Sequence, residues 1–295
     1  MSEEECVLCP RKCHTHRNEA IGFCGAGADI RAARAMLHFW EEPCISGSAG
    51  AGAVFFSGCP LRCIFCQNRA ISQQAVGKTV SVERLAGIFL RLAEQGAQCI
   101  DLVSATPYVP QVIRALDRVR DRLNIPVVYN TGGYERVQTL RMLQGYVDVY
   151  LPDFKYADSA LAQRYSGAPD YPAVCRAALR EMVRQTGPYR LDDTGRLVQG
   201  TMVRHLVLPG SRHDSIAVAD ELGASYTPQQ ILVSVMRQYT PPHLPLPYSS
   251  LNRRLTTFEY ESVCDRYRHF GFSGYFQQAQ SAREEYTPEF DFSGL

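Results

Sequence analysis

Alternation between strand-like and helix-like segments constrains the fold of this chain more than any other feature of its sequence. Short apolar runs rich in β-branched residues predict six strands, at Ala53 to Phe56, 99–105, 126–130, 147–151, 203–209 and 231–236. Helical periodicity fills most of the intervals; in residues 81–96, Ser81 is a candidate N-cap and Gly96 follows the predicted helix. Six such units predict an α/β fold with a parallel sheet and right-handed crossovers, in the form of a partial six-stranded (β/α)6 barrel.

The 295 residues, 45% of them hydrophobic, are enough for one main domain of this kind. We predict a short Cys-rich metal-binding segment over residues 1–48 and the barrel over 49–240. Residues 241–295 are predicted to form a loop, a helix and a closing strand packed on the barrel. The Asp-Thr-Gly sequence at 193–195 predicts a hairpin insertion before the fifth strand.

Charge and hydropathy exclude some classes of partner. With 31 basic and 30 acidic residues, the net charge gives no reason to expect nucleic acid or an anionic membrane as a partner. The N-terminus is acidic and lacks an apolar core region, and no stretch approaches the roughly 18 apolar residues of a membrane span. These features predict a cytoplasmic protein.

Cysteine is the outlying residue type, with 11 in the chain. Disulfides are not expected, because thiols in the cytosol are kept reduced. Seven of the cysteines fall in two groups within the first 66 residues, which favours metal binding, whereas four are scattered: Cys44, Cys99, Cys175 and Cys264. We interpret the scattered cysteines as buried packing residues. For Cys44, one loop before the predicted first strand, a role as a hydrogen-atom donor stays open.

The second group, Cys59, Cys63 and Cys66, has the spacing Cys-x3-Cys-x2-Cys and follows the first predicted strand directly. Three thiolates can hold three irons of a 4Fe-4S cluster and leave the fourth iron open to another molecule. A four-cysteine ferredoxin pattern would fill every iron, and a zinc site would need a fourth ligand. An open iron indicates chemistry rather than electron transfer alone.

This spacing, with the aromatic Phe65 immediately before the third cysteine, resembles the signature of the radical S-adenosylmethionine (radical SAM) superfamily. The wider string GCPLRCIFCQN, from Gly58 to Asn68, resembles the branch around pyruvate formate-lyase activating enzyme, and the resemblance spans roughly residues 6–240. It implies that the open iron binds the amino and carboxylate groups of S-adenosylmethionine. It also implies that Phe65 lies beside the adenine and that Asn68 belongs to the cofactor site.

Polar residues lie at the ends of the predicted strands, where an α/β barrel places its active site; they are Ser104, Thr106, Asn130, Thr131, Asp153 and Lys155, and the fifth predicted strand carries Arg204. Together they supply acceptors for the ammonium of S-adenosylmethionine, donors for its carboxylate and partners for its hydroxyls. By resemblance to the activating enzymes, the last five match positions that line the cofactor. The same resemblance implies a monovalent cation held by Asp153 and Thr131. A solvated surface pair of Asp153 and Lys155 is the alternative.

One segment departs from the pattern of these relatives. Many of them carry a Gly-Gly-Glu segment after the second strand, which binds the amino group of the cofactor, and residues 104–107 read Ser-Ala-Thr-Pro instead. A carboxylate is therefore missing at that position. Hydroxyls and backbone carbonyls can accept the same hydrogen bonds, so cofactor binding is still expected.

The first group of cysteines, Cys6, Cys9, Cys13 and Cys24, predicts a second metal centre. Four thiols suit either a closed zinc site or an auxiliary iron-sulfur cluster, and the sequence leaves both open. The alternative is a set of thiols without metal. A segment this short and polar cannot form its own core, so a metal would also stabilise its fold.

The resemblance implies reduction of the cluster by flavodoxin or ferredoxin and reductive cleavage of S-adenosylmethionine to a 5′-deoxyadenosyl radical that abstracts hydrogen from a substrate. That substrate is a glycine of a partner glycyl radical enzyme, a peptide or a small molecule. An iron-sulfur electron-transfer protein with two metal centres is the alternative of a different class. A zinc-dependent nucleic-acid-binding module is disfavoured by the neutral charge.

Overall fold

The computed structural model describes residues 5–242, 245–278 and 288–295. The strands in these ranges are β1 (Ile30–His38), β2 (Ala51–Phe56), β3 (Lys78–Val80), β4 (Ile100–Val103), β5 (Val127–Thr131), β6 (Val149–Pro152), β7 (Arg190–Leu191), β8 (Leu197–Leu206), β9 (Leu232–Met236) and β10 (Gly274–Phe276). The α-helices are α1 (Pro43–Ser46), α2 (Arg69–Ser72), α3 (Val82–Glu94), α4 (Val109–Asp117), α5 (Val137–Met142), α6 (Ser159–Ser166), α7 (Tyr171–Thr186), α8 (Arg212–Ser225) and α9 (Thr257–His269).

The strands form a mostly parallel sheet in the order β10-β9-β8-β6-β5-β4-β2-β1-β3. Every neighbouring pair from β2 to β10 is parallel. The six predicted strands correspond to β2, β4, β5, β6, β8 and β9, which are consecutive neighbours in this order. The predicted α/β fold with a parallel sheet is therefore confirmed.

The sheet is longer than the six predicted units at both ends. β1 lies inside the predicted Cys-rich segment 1–48, yet it pairs antiparallel with β2 and β3. Its alanines have weak β propensity, so the pairing with β2 and β3, rather than its own residues, makes it a strand. At the other end β10 adds a further parallel strand, within the predicted closing strand. The predicted hairpin before β8 is present as β7. The division of the chain at residues 48 and 240 stays a prediction.

Amphipathic helices cover the outer face of the sheet. In α3 the Ser81 side chain accepts a hydrogen bond from the Arg84 amide, as an N-cap does. The buried face of this helix consists of Leu85, Ala86, Ile88, Phe89 and Leu92. None of the helices in the described ranges combines the length and the apolar character that a bilayer span requires.

The concave face of the sheet carries an apolar floor and, nearer the carboxyl ends, polar groups. Val128, Met202 and Leu232 belong to the floor, which also includes Cys44 and Ile45 of α1. Because side chains alternate along a strand, the residues two positions further on point to the same side; these are Asn130, Arg204 and Ser234. Residues 40–43, after β1, and 275–277, at β10, line one cavity, so the two ends of the sheet approach each other as in a partial barrel.

Candidate active site

The predicted cluster ligands lie on a loop of residues 57–68, called here the cluster loop, that connects β2 to α2. Gly58 has φ +94°, and a Cβ there would lie 2.8 Å from the carbonyl oxygen of Cys24, so no other residue fits without a shift. The Cys59 amide donates to that same Cys24 carbonyl at 3.1 Å. The amides of Arg62 and Ile64 donate to carbonyls at the end of α6. The loop is therefore held by backbone hydrogen bonds to two distant segments.

The three thiols of the cluster loop face one cavity at the carboxyl ends of the strands. Cys63 Sγ is 2.9 Å from the Ser166 hydroxyl, and Cys66 Sγ is 3.3 Å from the Ser72 hydroxyl. Burial raises the pKa of the Cys59 thiol, and the neighbouring Cys63 thiol raises it further. Burial also raises the pKa of Cys63, whereas the Lys155 ammonium lowers it. These buried thiols are thus close enough to oppose one another's ionisation.

The cavity brings together the predicted cluster ligands and nearly all the predicted cofactor-binding residues. Besides the three cysteines, its walls contain Phe65, Asn68, Ser104, Asn130, Thr131, Asp153, Lys155 and Arg204. Ser104 has φ +60°, which is unfavourable for a residue other than glycine and is typical of functional strand ends. The Phe65 ring packs edge-on against Tyr239 with centroids 6.3 Å apart. The aromatic ring of Phe65 therefore has a partner in the cavity wall.

The charged residues form one network rather than a solvated surface pair. Asp153 accepts from Lys155 Nζ at 2.5 Å and from Arg204 Nε at 3.0 Å, and both cationic side chains are less than a fifth exposed. Burial alone would raise the pKa of Asp153, but Lys155 and Arg204 together lower it. The other nitrogens of Arg204 donate to Asn130 Oδ1 at 2.5 Å and to Glu41 Oε2 at 3.2 Å. The alternative of a surface pair is therefore wrong.

Thr106 does not line the cavity. Its hydroxyl donates to Glu135 Oε1 at 2.5 Å, and the Thr131 hydroxyl donates to the same oxygen at 2.5 Å. Asp153 is paired with both Lys155 and Arg204, and the Thr131 hydroxyl with Glu135, so the implied monovalent cation would have to share oxygens that already take part in hydrogen bonds. The geometry gives no support to that cation or to cofactor contact by Thr106.

The burial of Glu135 can be tested through the pH dependence of the free energy of unfolding. Burial raises the pKa of its carboxyl to about 7, so the folded chain binds this proton more tightly than the unfolded chain. The resulting stability is complete below the ordinary carboxyl pKa and is lost as the pH rises through about 7. We expect Glu135→Gln, which cannot ionise, to gain up to about 3 kcal/mol over the wild type in free energy of unfolding between pH 5 and pH 8. Urea denaturation at both values measures this difference, with the exposed Glu94→Gln as the control; equal pH slopes in wild type and Glu135→Gln would contradict it.

Sequence reasoning missed three acidic residues near the cavity: Glu41, Glu42 and Asp101. Glu41 accepts from Arg204, and Asp101 Oδ2 accepts from Asn130 Nδ2 at 3.2 Å. Burial raises the pKa of all three carboxyls. The signal for Asp101 was a charged residue inside an otherwise apolar strand. Glu41 and Glu42 lie in a loop and gave no periodic signal.

The four N-terminal thiols are neighbours. A Cβ on Gly22 would lie 3.4 Å from Cys13 Sγ and 3.8 Å from Cys24 Sγ, so both sulfurs face the same glycine. Burial raises the pKa of Cys9 to about 12, and the nearby Cys24 and Cys6 thiols act in the same direction. Burial also raises the pKa of Cys24, with smaller effects from Cys6 and Cys13. The four cysteines therefore share one environment.

Proximity alone does not make a metal site. Within the described ranges, no three His, Cys, Asp or Glu side chains are arranged as ligands of a single metal ion. A cubane cluster places each thiol on a different iron, so the cysteines of the cluster loop need not converge on one point. A zinc site needs convergence, and the N-terminal sulfurs would have to move together to provide it.

The scattered cysteines are packing residues, as predicted. Cys44, Cys99, Cys175 and Cys264 are each at most 3% exposed. Cys44 packs in the apolar floor and lies outside the cavity walls, so its position gives no support to a role as hydrogen-atom donor.

Residues 53–185, from β2 to α7, match the family model described as the radical SAM superfamily. This part of the chain is a radical SAM domain. Membership implies a 4Fe-4S cluster and S-adenosylmethionine, and the residues present fit both. Metal binding to a thiol displaces its proton to solvent, so the raised pKa values of Cys59 and Cys63 do not prevent these thiols from serving as iron ligands. The polar strand ends offer the donors and acceptors that the cofactor needs.

The chain is also similar to individual proteins, over a longer part of its length than residues 53–185. Over 271 residues the chain is 28% identical to the uncharacterized protein MJ0674 of Methanocaldococcus jannaschii. This match covers 89% of this chain and 74% of that protein. Two crystal structures of Streptococcus suis SuiB, one of them bound to S-adenosylmethionine, match with TM-scores of 0.49 and 0.45 at 14% and 16% identity. Each match covers 77% of this chain, which spans about half the length of the SuiB chains.

Proposed function

We propose that this chain cleaves S-adenosylmethionine reductively with a 4Fe-4S cluster held by Cys59, Cys63 and Cys66. One observation carries the proposal: the three thiols and the charged strand ends line the same cavity. When bound, the cluster supplies the electron that splits the sulfonium into methionine and a 5′-deoxyadenosyl radical. The remaining work of the site is binding and orientation, which this chain's own residues perform.

In this proposal, different residues of the cavity contact different polar groups of S-adenosylmethionine. Lys155 and Arg204 are the donors for its carboxylate, and Asp153 is the acceptor that holds both cations in place beforehand. Ser104 and Asn130 offer further hydrogen bonds at the ends of β4 and β5. Phe65, backed by Tyr239, offers a ring face for the adenine. Because Lys155 and Arg204 are already paired and buried, little side-chain entropy is lost when the cofactor binds.

The test is anaerobic reconstitution of the full chain with iron and sulfide, followed by incubation with dithionite and S-adenosylmethionine. We expect 5′-deoxyadenosine and methionine in equal amounts, dependent on both reagents. A reconstituted cluster that is reduced by dithionite but forms no 5′-deoxyadenosine would favour the iron-sulfur electron-transfer alternative.

The proposed reaction also needs two partners, an electron donor and a substrate that donates hydrogen. Cleavage needs a low-potential electron donor, for which flavodoxin or ferredoxin is the natural class. The hydrogen donor is a glycine of a glycyl radical enzyme, a peptide or a small molecule. Comparing each donor class for deuterium transfer into 5′-deoxyadenosine distinguishes them.

For the N-terminal cysteines we propose a structural zinc centre, which requires these neighbouring sulfurs to move together when the metal binds. Cys6, Cys9 and Cys13 are separated by two and three residues, within the range typical of structural zinc ligands. Their segment also supports the cluster loop, because Arg11 donates to the Pro60 carbonyl at 2.8 Å and the Cys24 carbonyl accepts from the Cys59 amide. A centre that fixes this segment would fix the backbone of the cluster loop.

We therefore expect metal analysis of the reconstituted chain to give about four irons and one zinc. Cys6→Ser should lose the zinc and keep the iron, whereas Cys59→Ala should lose the iron and keep the zinc. About eight irons without zinc would show an auxiliary cluster instead. About four irons without zinc would refute a second centre.

A further inference from the structure

A second cavity, called here the side cavity, adjoins the cofactor cavity between the two ends of the sheet. The two share Trp40, Glu41, Arg204, Met236 and Gln238 as lining residues. The side cavity extends from there along Glu42 and Ser234 to Tyr275 and Phe276 of β10. A molecule in it would therefore reach the space where the proposed function places S-adenosylmethionine.

The charges around the side cavity do not balance. Four carboxylates interact with Arg204, namely those of Asp153, Glu42, Glu41 and Asp101. Lys155 is the second cation of the network, and it pairs with Asp153. If all six groups are ionised, two negative charges remain for which the part of the chain that the structure describes offers no cation. Burial makes such an excess costly, and it raises the pKa of Glu42 despite the nearby Arg204 guanidinium.

Unpartnered oxygens mark where a ligand would bind. Glu42 Oε2 and Asp101 Oδ1 are buried and have no hydrogen-bond partner among the described residues, whereas the Ser234 hydroxyl lies close enough to the Glu42 carboxyl to lower its pKa but makes no well-aligned hydrogen bond within those residues. Ser234 is only 1% exposed, and it lines the side cavity next to Arg204 in the neighbouring strand. Buried polar groups in native proteins nearly always have a partner. The two carboxylate oxygens therefore lack a donor, and the charge excess indicates that the missing donor is cationic.

We propose that the side cavity recognises a cationic amine of the substrate, an ammonium or a guanidinium, through Glu42 and Ser234. This inference rests on the proposed function, whose substrate class it specifies. Asp101 is fully buried and does not line the side cavity, so it contributes charge rather than contact. The aromatic side chains of Trp40, Tyr275 and Phe276 in the cavity wall suit the organic body of such a substrate and the cation itself.

An inorganic monovalent cation is the other source of the same charge. It would need only oxygen ligands, and it would leave the aromatic part of the wall without a role. The continuity between the side cavity and the cofactor cavity also favours a substrate, because hydrogen abstraction requires the substrate to extend to the cofactor.

The experiment measures binding to the full chain, reconstituted with its cluster and S-adenosylmethionine. The probes are Nα-acetyl-lysine amide and Nα-acetyl-arginine amide, with Nα-acetyl-norleucine amide as the uncharged control, and the dissociation constants come from calorimetry. We expect at least one cationic probe to bind about tenfold or more tightly than the norleucine compound, as for a charge-assisted hydrogen bond in a buried site. Equal affinities for all three probes would overturn the proposal.

Substitutions in the side cavity test whether the preference for the cationic probe arises there. Glu42→Gln and Ser234→Ala should each remove most of the preference for the cationic probe while 5′-deoxyadenosine formation without substrate continues. Ser234→Ala disturbs no charge and thus tests the site even if Glu42→Gln folds poorly. Glu83→Gln, an exposed carboxylate in the first turn of α3, is the control and should change nothing.

The remaining outcomes separate the two hypotheses. If sodium or potassium ions abolish binding of the cationic probe at constant ionic strength and bind to the chain themselves, the site belongs to an inorganic cation and the amine proposal is wrong. If the wild type forms no 5′-deoxyadenosine, the proposed function fails, whatever the probes show. If it does form 5′-deoxyadenosine but Glu42→Gln and Ser234→Ala keep the full preference, only the amine proposal fails.

Discussion

Cys59→Ala, Cys63→Ala and Cys66→Ala are each expected to lower the rate of 5′-deoxyadenosine formation by on the order of a thousandfold or more, because in the proposed reaction the electron reaches S-adenosylmethionine only through the cluster. Each substitution removes one of three iron ligands, and no other cysteine lines the cavity to replace it. The assay is 5′-deoxyadenosine formation under anaerobic conditions, together with the iron content after reconstitution. We expect both to fall in all three variants.

The matched control is Cys264→Ala, which removes a thiol buried in α9 that lies outside the cavity walls. It should cost some stability and leave iron content and product formation close to the wild type. Turnover like the wild type in any one of the three cluster-loop variants would refute the assignment of that cysteine as an iron ligand. A loss of turnover in Cys264→Ala as large as in the others would show that misfolding, not ligand loss, explains the series.

Much of this site could be predicted from local patterns. Cys59, Cys63 and Cys66 lie within eight residues, so their spacing alone brings them together. Asn130 and Asp153 could be placed because parallel strands end at the same edge, a rule that needs only the strand positions. Arg204 could be placed only by the resemblance, because it lies near the start of its predicted strand 203–209. Thr106 was misplaced because it follows β4 by three residues, by which point the chain has entered the turn before α4.

What could not be predicted depends on contacts between distant segments. Glu41 reaches Arg204 only because the two ends of the sheet approach each other, and no periodicity in the sequence encodes that approach. The support of the cluster loop by the Cys24 carbonyl is a backbone contact, which side-chain identity does not reveal. β1 became a strand through its partner β2 rather than through its own residues. Long-range pairing therefore limits what the sequence alone can establish here.

Arg204→Ala is expected to have the largest effect on stability of any single substitution in the charged network. Arg204 donates to Asp153, Asn130 and Glu41, and its removal leaves Lys155 as the one cation that the described residues supply to four buried carboxylates. Breaking a buried pair by removing one partner costs about 3–5 kcal/mol, because the other charge stays buried. Urea denaturation under anaerobic conditions measures this loss.

The pH dependence and a surface control identify the cause. Arg204 helps to hold the pKa of Asp153 below its usual range, so this carboxyl stabilises the wild type above its unfolded pKa and the contribution is lost as the pH falls. The cost of Arg204→Ala should therefore be greatest near neutral pH and should shrink in acid. Arg196→Ala, which breaks the partly exposed pair with Asp192, should cost no more than about 1 kcal/mol at either pH.

The Arg204→Ala variant should keep its iron but bind S-adenosylmethionine more weakly, since Arg204 faces the cofactor and not the thiols. An Arg204→Ala protein as stable as the Arg196→Ala control would show that the buried carboxylates are protonated in the wild type, and that the network carries little charge for Arg204 to balance.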